Sequence, residues 1–145
     1  MRARLRAAKA NDAETLAALT GQLGYAVTPG EVADRLGRLL EDPASVVLVA
    51  VDGADRPLDW VHGQLHRSLE SEGSVRVGGL VVDEGLRSQG IGQDLLRAVE
   101  QWARERGVAR MTLYSRQTRE RAHRFYEREG YRVAKRSYML EKDLA

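Results

Sequence analysis

The chain lacks cysteine altogether, although it is 145 residues long. Disulfide bridges, thiolate zinc sites and cysteine nucleophiles are therefore excluded, and any thiol in the chemistry must arrive on a ligand. The chain also has no run approaching the roughly 20 apolar residues that a membrane-spanning helix needs. Residues 1–10 are basic without a following apolar run, so we expect a cytoplasmic protein with no membrane partner.

Aromatic residues are scarce as well, at 6% of the chain, and they do not interleave with arginines as a stacking surface for single-stranded nucleic acid would require. Apolar residues make up 43% and charged residues 30%, which is an ordinary globular composition. Together with the absence of a linker or repeat, this length predicts a single domain over residues 1–145.

The net charge of +2 is unevenly distributed. Residues 1–100 carry 11 Lys/Arg against 15 Asp/Glu, whereas residues 101–145 carry 12 against 6. A basic C-terminal third could attract nucleic acid, a membrane surface or a polyphosphorylated cofactor. An arginine-rich, solvated helix face explains the same pattern equally well, and the few aromatics make a nucleic-acid partner the less favoured reading.

Hydrophobic periodicity and turn residues predict an α/β domain with a mixed sheet. The long stretch after Gly90 is strongly helical, and the run from Val75 to Val82 predicts a central strand that is apolar on both faces. The predicted strands cover residues 5–7, 45–51, 58–69, 75–82, 110–114, 131–133 and 137–140, and the predicted helices cover residues 12–23, 29–41, 91–106 and 119–129.

The most informative segment is a loop rich in small residues between the predicted strand and the long helix. Gly90 and Gly92 leave no side chain between the backbone and a ligand. The first N–H groups of a helix are unpaired donors at the positive end of its dipole, so a pyrophosphate would bind there. Arg87 would add further donors for the same phosphates.

Two other phosphate-binding motifs fail against this segment. A dinucleotide-binding fingerprint requires a third glycine where Leu95 stands. A P-loop requires Lys-Ser/Thr directly after its last glycine, where the chain has Gln93 and Asp94.

The run Arg87-Ser88-Gln89-Gly90-Ile91-Gly92 resembles the Arg/Gln-x-x-Gly-x-Gly/Ala hallmark of the GCN5-related N-acetyltransferase (GNAT) family. A second family feature, Ala-x-x-Phe-Tyr before Gly-aromatic, is matched by Ala122, Phe125, Tyr126, Gly130 and Tyr131. The predicted element order is also similar to that of the family over nearly the whole chain. The resemblance implies a mostly antiparallel mixed sheet of six to seven strands with about four helices.

The resemblance also implies the cofactor and the roles of particular residues. The co-substrate would be acetyl-CoA, without a metal, and the backbone of Leu80, Val81 and Val82 would bind the pantetheine arm and the acetyl carbonyl. Tyr126 would protonate the departing thiolate, although an apolar stripe on an ordinary helix explains it too. The pyrophosphate would be held by Arg87, Ser88, Gln89, Gly90, Ile91 and Gly92.

Two positions depart from the family pattern. Gly78 stands where many members have a glutamate base, and Arg119 stands where an asparagine is common. Alternation on the preceding strand places His62 and His66 on one face, so either could replace the base. A half-exposed strand with a polar face explains those histidines as well, and Glu70, Glu72 and Glu84 are loop candidates best explained as solvated surface.

We therefore expect an N-acetyltransferase that acts on a primary amine of a small molecule by direct attack in a ternary complex. A non-catalytic CoA-binding sensor, a protein amino-group acetyltransferase and a transferase of longer acyl groups remain open. The segment around Tyr25, together with Trp60 and the acidic loop after Leu69, would border the acceptor. The family habit also makes a homodimer possible.

Overall fold

The computed structural model describes residues 3–82, 90–115 and 120–145. These residues cluster into two compact units, Met1–Tyr114 and Ser115–Ala145. The strands are β1 (Arg4–Ala7), β2 (Ser45–Val51), β3 (Pro57–His66), β4 (Ser74–Val82) and β5 (Met111–Leu113). A 3-10 turn (Ala10–Asp12) precedes the helices α1 (Ala13–Gly21), α2 (Pro29–Glu41), α3 (Ile91–Glu105) and α4 (Glu120–Arg128).

The sheet has the strand order β1-β2-β3-β4-β5. The first three pairings are antiparallel, and β5 joins β4 in parallel. The α/β class and the mixed, mostly antiparallel sheet are thus confirmed. The predicted count of six to seven strands is wrong for the described residues, which form five.

One face of the sheet packs against α1 and α2. Helix α2 begins where the sequence predicts, at Pro29, and it is fixed by a capping box in which Thr28 Oγ1 accepts from Glu31 N and Glu31 Oε1 accepts from Thr28 N. The helices bury a cluster against the odd-numbered positions of β2. This cluster contains Leu16, Leu19, Leu36, Val47, Val49, Val51 and Val81, with Trp60 packed at its border.

The opposite face packs against α3. Its inward residues Leu95, Leu96 and Val99 are fully buried, as the helical periodicity predicts. Gly63 on β3 makes this close approach possible, because a Cβ atom there would lie 2.7 Å from Val99 Cγ1. None of the helices in the described part of the chain combines the length and the apolar character that crossing a bilayer requires.

A charged cluster fastens β1 to the 3-10 turn and to the β2–β3 hairpin. The guanidinium of Arg6 donates to both carboxylate oxygens of Asp12, at 2.8 and 3.0 Å, and its Nε donates to Asp55 at 2.9 Å. The side chains of Arg6 and Asp12 are only 11% and 6% exposed. Asp12 therefore braces the turn instead of capping α1 with its side chain.

The second unit contains α4, which ends at Arg128 and is followed by Gly130 with a φ of +94°. The N–H of Tyr131 donates to the carbonyl of Tyr126 at 2.9 Å, closing the helix end. No strand is assigned in the described residues that follow, so the predicted strands at residues 131–133 and 137–140 are wrong. Their β-type composition is insufficient, because a strand also needs a pairing partner, and no strand is assigned among residues 120–145.

Candidate active site

A β-bulge marks the middle of β4. His62 pairs with Gly79, but the next residue of β3, Gly63, pairs with Val77, so Gly78 is an extra residue in β4. The β4–β5 ladder covers Val75–Val77 and Met111–Leu113, and it ends just before the bulge. The part of β4 beyond the bulge is thus paired with β3 but not with β5 among the described residues.

Two rings from β3 lie against the two glycines of the bulge. A Cβ atom on Gly79 would lie 2.7 Å from Cη2 of Trp60, and a Cβ atom on Gly78 would lie 2.8 Å from Nδ1 of His62. The indole is held in place because Trp60 Nε1 donates to Thr20 Oγ1 on α1 at 3.2 Å. Neither glycine position can therefore accept a side chain unless its ring moves.

His62 is half-buried beside the bulge. Burial lowers the pKa of its imidazole below the ordinary 6.5, and this effect outweighs the hydrogen bond with Gln64 and the charge of Asp42, which both raise it. Its Nε2 atom is buried and has no hydrogen-bond partner in the described part of the chain. A neutral imidazole with an unused ring nitrogen is able to accept a proton.

The start of α3 supplies the described part of the predicted phosphate loop. Gly90 is the N-cap residue and has a left-handed backbone, with a φ of +81°, which only glycine adopts at little cost. Apart from its own turn, no heavy atom of the described residues lies within 4 Å of a Cβ position there, whereas Ile91 and Gly92 are buried. The backbone is consequently open to a ligand at Gly90, while the next turn is anchored in the core.

A model of the acetyltransferase (GNAT) family matches residues 13–131. The chain belongs to this GNAT family. No curated protein matches it in a sequence search.

Solved structures give the same fold for this GNAT chain. The tetramutant of the BH1408 protein from Bacillus halodurans is 24% identical, with a TM-score of 0.85, and the match covers 96% of this chain and 99% of that one. The aminoglycoside 6'-N-acetyltransferase AAC(6')-Ih from Acinetobacter baumannii is 14% identical, with a TM-score of 0.85 and coverages of 98% and 99%. Glucosamine-6-phosphate N-acetyltransferase from Arabidopsis thaliana is 17% identical, with a TM-score of 0.78 and coverages of 98% and 98%.

The predicted cofactor residues of this GNAT chain are only partly described. Leu80, Val81 and Val82 form the end of β4, beyond the bulge, and Val81 is fully buried. Gly90, Ile91 and Gly92 lie at the start of α3. Arg87, Ser88 and Gln89 lie outside the described residues, as do Glu84 and Arg119.

The predicted proton donor, Tyr126, lies on α4 in the second unit. Its ring centroid is 5.1 Å from that of Phe125 and 5.8 Å from that of Tyr131, in edge-to-face arrangements. Tyr126 thus takes part in local aromatic packing, and its catalytic role stays a prediction.

The structure places the alternative candidate bases in different surroundings. His66 is exposed at the end of β3, whereas His62 lies against Gly78. Glu70 and Glu72 precede the start of β4, while the predicted cofactor residues begin within its other end, at Leu80. Among the described candidates, only His62 is in contact with the bulge.

Sequence reasoning missed two polar side chains on the same face of the sheet, Arg76 and Thr112. The expectation that β4 is apolar on both faces overlooks Arg76, which pairs with Gln64 on β3 and with Thr112 on β5. A charged residue inside an otherwise apolar strand was the available signal, because such positions are rarely occupied by arginine without a role.

Proposed function

We propose that this protein transfers the acetyl group of acetyl-CoA to a primary amine of a small molecule, by direct attack in a ternary complex. The observation that carries the proposal is that the β4–β5 ladder of the described residues ends just before the Gly78–Gly79 bulge. Beyond the bulge, alternate amide and carbonyl groups of β4 face the side where its pairing with β5 has ended. Such groups are suited to hydrogen-bond an extended, amide-containing arm.

The start of α3 supports the placement of the pyrophosphate. The left-handed Gly90 leaves space at the backbone, and the N-terminal amides of a 15-residue helix favour a negative charge. We propose that Arg87, Ser88 and Gln89 complete this site together with Gly90, Ile91 and Gly92. Acetyl-CoA supplies the activated thioester, and no metal is required for the attack.

We propose His62 as the general base. An attacking amine must lose a proton, and a base must lie within hydrogen-bond reach of that amine. The buried Nε2 of His62 and the position of its ring against Gly78 support this role. The lowered pKa of the imidazole keeps it neutral near pH 7, so that it can accept the proton.

We propose Tyr126 as the acid that protonates the leaving thiolate, since a phenol on the family's second motif can supply that proton. We also propose that residues 1–145 form one acetyltransferase domain and that the protein works in the cytoplasm, with neither nucleic acid nor membrane as a partner. Assembly as a homodimer remains a prediction from the family.

The choice of a small acceptor is supported by the neighbours, since the names of two of them state that they acetylate an aminoglycoside and glucosamine 6-phosphate. The rival functions are a non-catalytic CoA sensor and a protein amino-group acetyltransferase. One assay, acetyl-CoA turnover against a panel of acceptors, distinguishes both of them from the proposed function.

The test is acetyl-CoA turnover, followed by thiol release against amines, polyamines, amino acids, aminoglycosides and short peptides. Turnover on a small amine that falls in Tyr126→Phe would support the proposal. Turnover restricted to peptides would favour the protein acetyltransferase. Tight CoA binding without turnover on any acceptor would favour the sensor, and failure to bind CoA would overturn the role of the glycine loop.

A further inference from the structure

Arg76 is a half-buried cation without a carboxylate partner in the described residues. Its guanidinium carbon lies 4.9 Å from the ring centroid of Tyr114, a stacking arrangement that leaves the N–H groups at the edge of the guanidinium available. Its Nε atom is buried and has no hydrogen-bond partner in the described chain. A buried charged donor is costly when it is unpaired, and an anionic ligand would remove that cost.

Thr112 repeats the pattern on the neighbouring strand. It pairs directly with Arg76 in the parallel ladder, so the two side chains lie on the same face. Its Oγ1 atom is also buried, with no hydrogen-bond partner among the residues described. A hydroxyl and a guanidinium side by side form a donor pair typical of sites that bind carboxylate or phosphate.

The pair lies next to the proposed base. Arg76 is two residues from Gly78, which corresponds to about 7 Å along a strand. It also pairs with Gln64, two residues beyond His62 on β3. Proton acceptor and cation thus lie on one face of the sheet, within the span of a small molecule.

Among the described residues, one carboxylate near this face, that of Asp42, has hydrogen-bond partners of its own. Asp42 accepts hydrogen bonds from the amide of Ala44 at 2.9 Å, from Ser45 Oγ at 3.0 Å and from Gln64 Nε2 at 3.3 Å. The two oxygens of Asp42 are thus held by three donors, none of which is Arg76.

We propose that Arg76 and Thr112 bind an anionic group of the acceptor, so that the substrate is an amine carrying a carboxylate or a phosphate. This inference rests on the proposed acetyl transfer and specifies its substrate class. Arg76 acts here as a specificity-determining residue, and it leaves the proton transfer to His62.

The experiment compares matched acceptors that differ only in the anion. One arm uses ω-amino acids of two to six carbons against their amides, and the other uses glucosamine 6-phosphate against glucosamine. The kcat/KM of each is measured for the wild type, Arg76→Gln, Thr112→Val and the control Arg35→Gln. The control removes the same charge from an exposed site on α2, where Arg35 pairs with Glu31 at 3.6 Å.

We expect the wild type to have a higher kcat/KM for the anionic member than for the neutral member of one arm. The arm in which this occurs identifies the anion as a carboxylate or a phosphate. A charged hydrogen bond is worth about 1.5–3 kcal/mol, so Arg76→Gln should lower kcat/KM for the anionic acceptor about 10- to 100-fold. It should leave the neutral acceptor and the KM for acetyl-CoA unchanged. If Arg76 had a purely structural role, Arg76→Gln would lower kcat/KM equally for the anionic and the neutral acceptor. That result would overturn the inference.

Calorimetric binding of the same pairs to the CoA-loaded protein tests the site without turnover. Suppose that binding depends on the anion and is lost in Arg76→Gln, but that no acceptor is turned over. This result would support the anion site and refute the proposed enzyme. If kcat/KM does not depend on the anion, or is higher for polyamines, the result would support the enzyme and refute the anion site. Failure of every anionic member in both assays would also refute the site.

Discussion

The imidazole of His62 occupies the space that a side chain on Gly78 would need, with Nδ1 2.8 Å from the Cβ position. Many relatives are expected to carry a glutamate at the position of Gly78. Here a ring from the neighbouring strand reaches the same place on the same face of the sheet. A carboxylate at position 78 and the present position of the His62 ring are therefore mutually exclusive.

A methyl group on Gly78 should displace the imidazole of His62. We expect Gly78→Ala to lower the free energy of unfolding by about 1–3 kcal/mol, because an overpacked site forces neighbouring atoms to shift, and also to lower kcat. Thermal melts and steady-state kinetics measure both effects. Gly53→Ala is the control, since no atom of the described residues, its chain neighbours apart, lies within 4 Å of its Cβ position. Equal losses of stability and of kcat in the two variants would contradict the displacement.

The rate should depend on pH through His62. Because burial lowers its pKa below 6.5, kcat/KM should rise with pH through an inflection below that value. His62→Gln should abolish this acid limb and lower the rate about 100-fold, a typical contribution of a general base. An acid limb unchanged in His62→Gln, or lost equally in the control His66→Gln, would exclude His62 as the base.

The lowered pKa of His62 also makes the stability of the fold depend on pH, because the folded state disfavours the protonated imidazole. The unfolded chain protonates His62 at a higher pH than the folded chain does. The contribution of His62 to stability is therefore complete above about pH 6.5 and declines as the pH falls through the folded pKa. Urea melts between pH 7.5 and pH 5 should show a smaller loss for His62→Gln than for the wild type.

The left-handed backbone of Gly90 can be tested by adding a methyl group. The added methyl group would stand in the open space at the backbone that we propose for the pyrophosphate, so we expect Gly90→Ala to raise the KM for acetyl-CoA about fivefold, the equivalent of about 1 kcal/mol. Gly107→Ala is the matched control, since Gly107 follows the other end of α3 with a φ of +72°. It should lower thermal stability without changing that KM; an equal KM change in both would assign the effect to helix strain.

The Arg6–Asp12 pair should govern acid stability. Burial raises the pKa of Asp12, but the hydrogen bonds from Arg6 and Lys9 and the charge of Arg6 outweigh this and lower it below 3.8. The contribution is thus present above about pH 4 and is lost as the pH falls through the lowered pKa. Asp12→Asn should cost about 3 kcal/mol at pH 7, since it leaves a buried cation partly unpaired.

Urea melts at pH 7 and pH 3 measure this difference. The gap between the wild type and Asp12→Asn should narrow at pH 3, while the exposed control Asp34→Asn should follow the wild type at both. A gap that is independent of pH would mean that Asp12 acts through packing and not through its charge.

Much of the fold follows from local sequence patterns. Strand β2 was predicted to the residue, and α2 begins at Pro29 as expected, because alternation, helical spacing and cap residues all act within a few positions. The predicted helix from Ile91 ends one residue late, which is the usual uncertainty at a helix end.

The site was less predictable, because it depends on the register between strands. The bulge that brings Gly78 and Gly79 opposite His62 is a property of β3 and β4 together. The Arg76–Thr112 pair requires β5 to lie beside β4 in one particular register. Residues 131–140 illustrate the reverse case, since they have strand-like composition but no assigned strand.

The indole of Trp60 has a practical consequence, because it covers the backbone of Gly79 and is tied to Thr20. The chain has only two tryptophans, and the other, Trp102, lies on α3 under the guanidinium of Arg106. Replacing Trp102 with phenylalanine would leave Trp60 as the single tryptophan, and excitation at a wavelength that tyrosine does not absorb would report on the bulge alone. The change in the fluorescence emission of Trp60 on adding a ligand would then report binding near the bulge. This measurement needs no label and can be made before the acceptor is known.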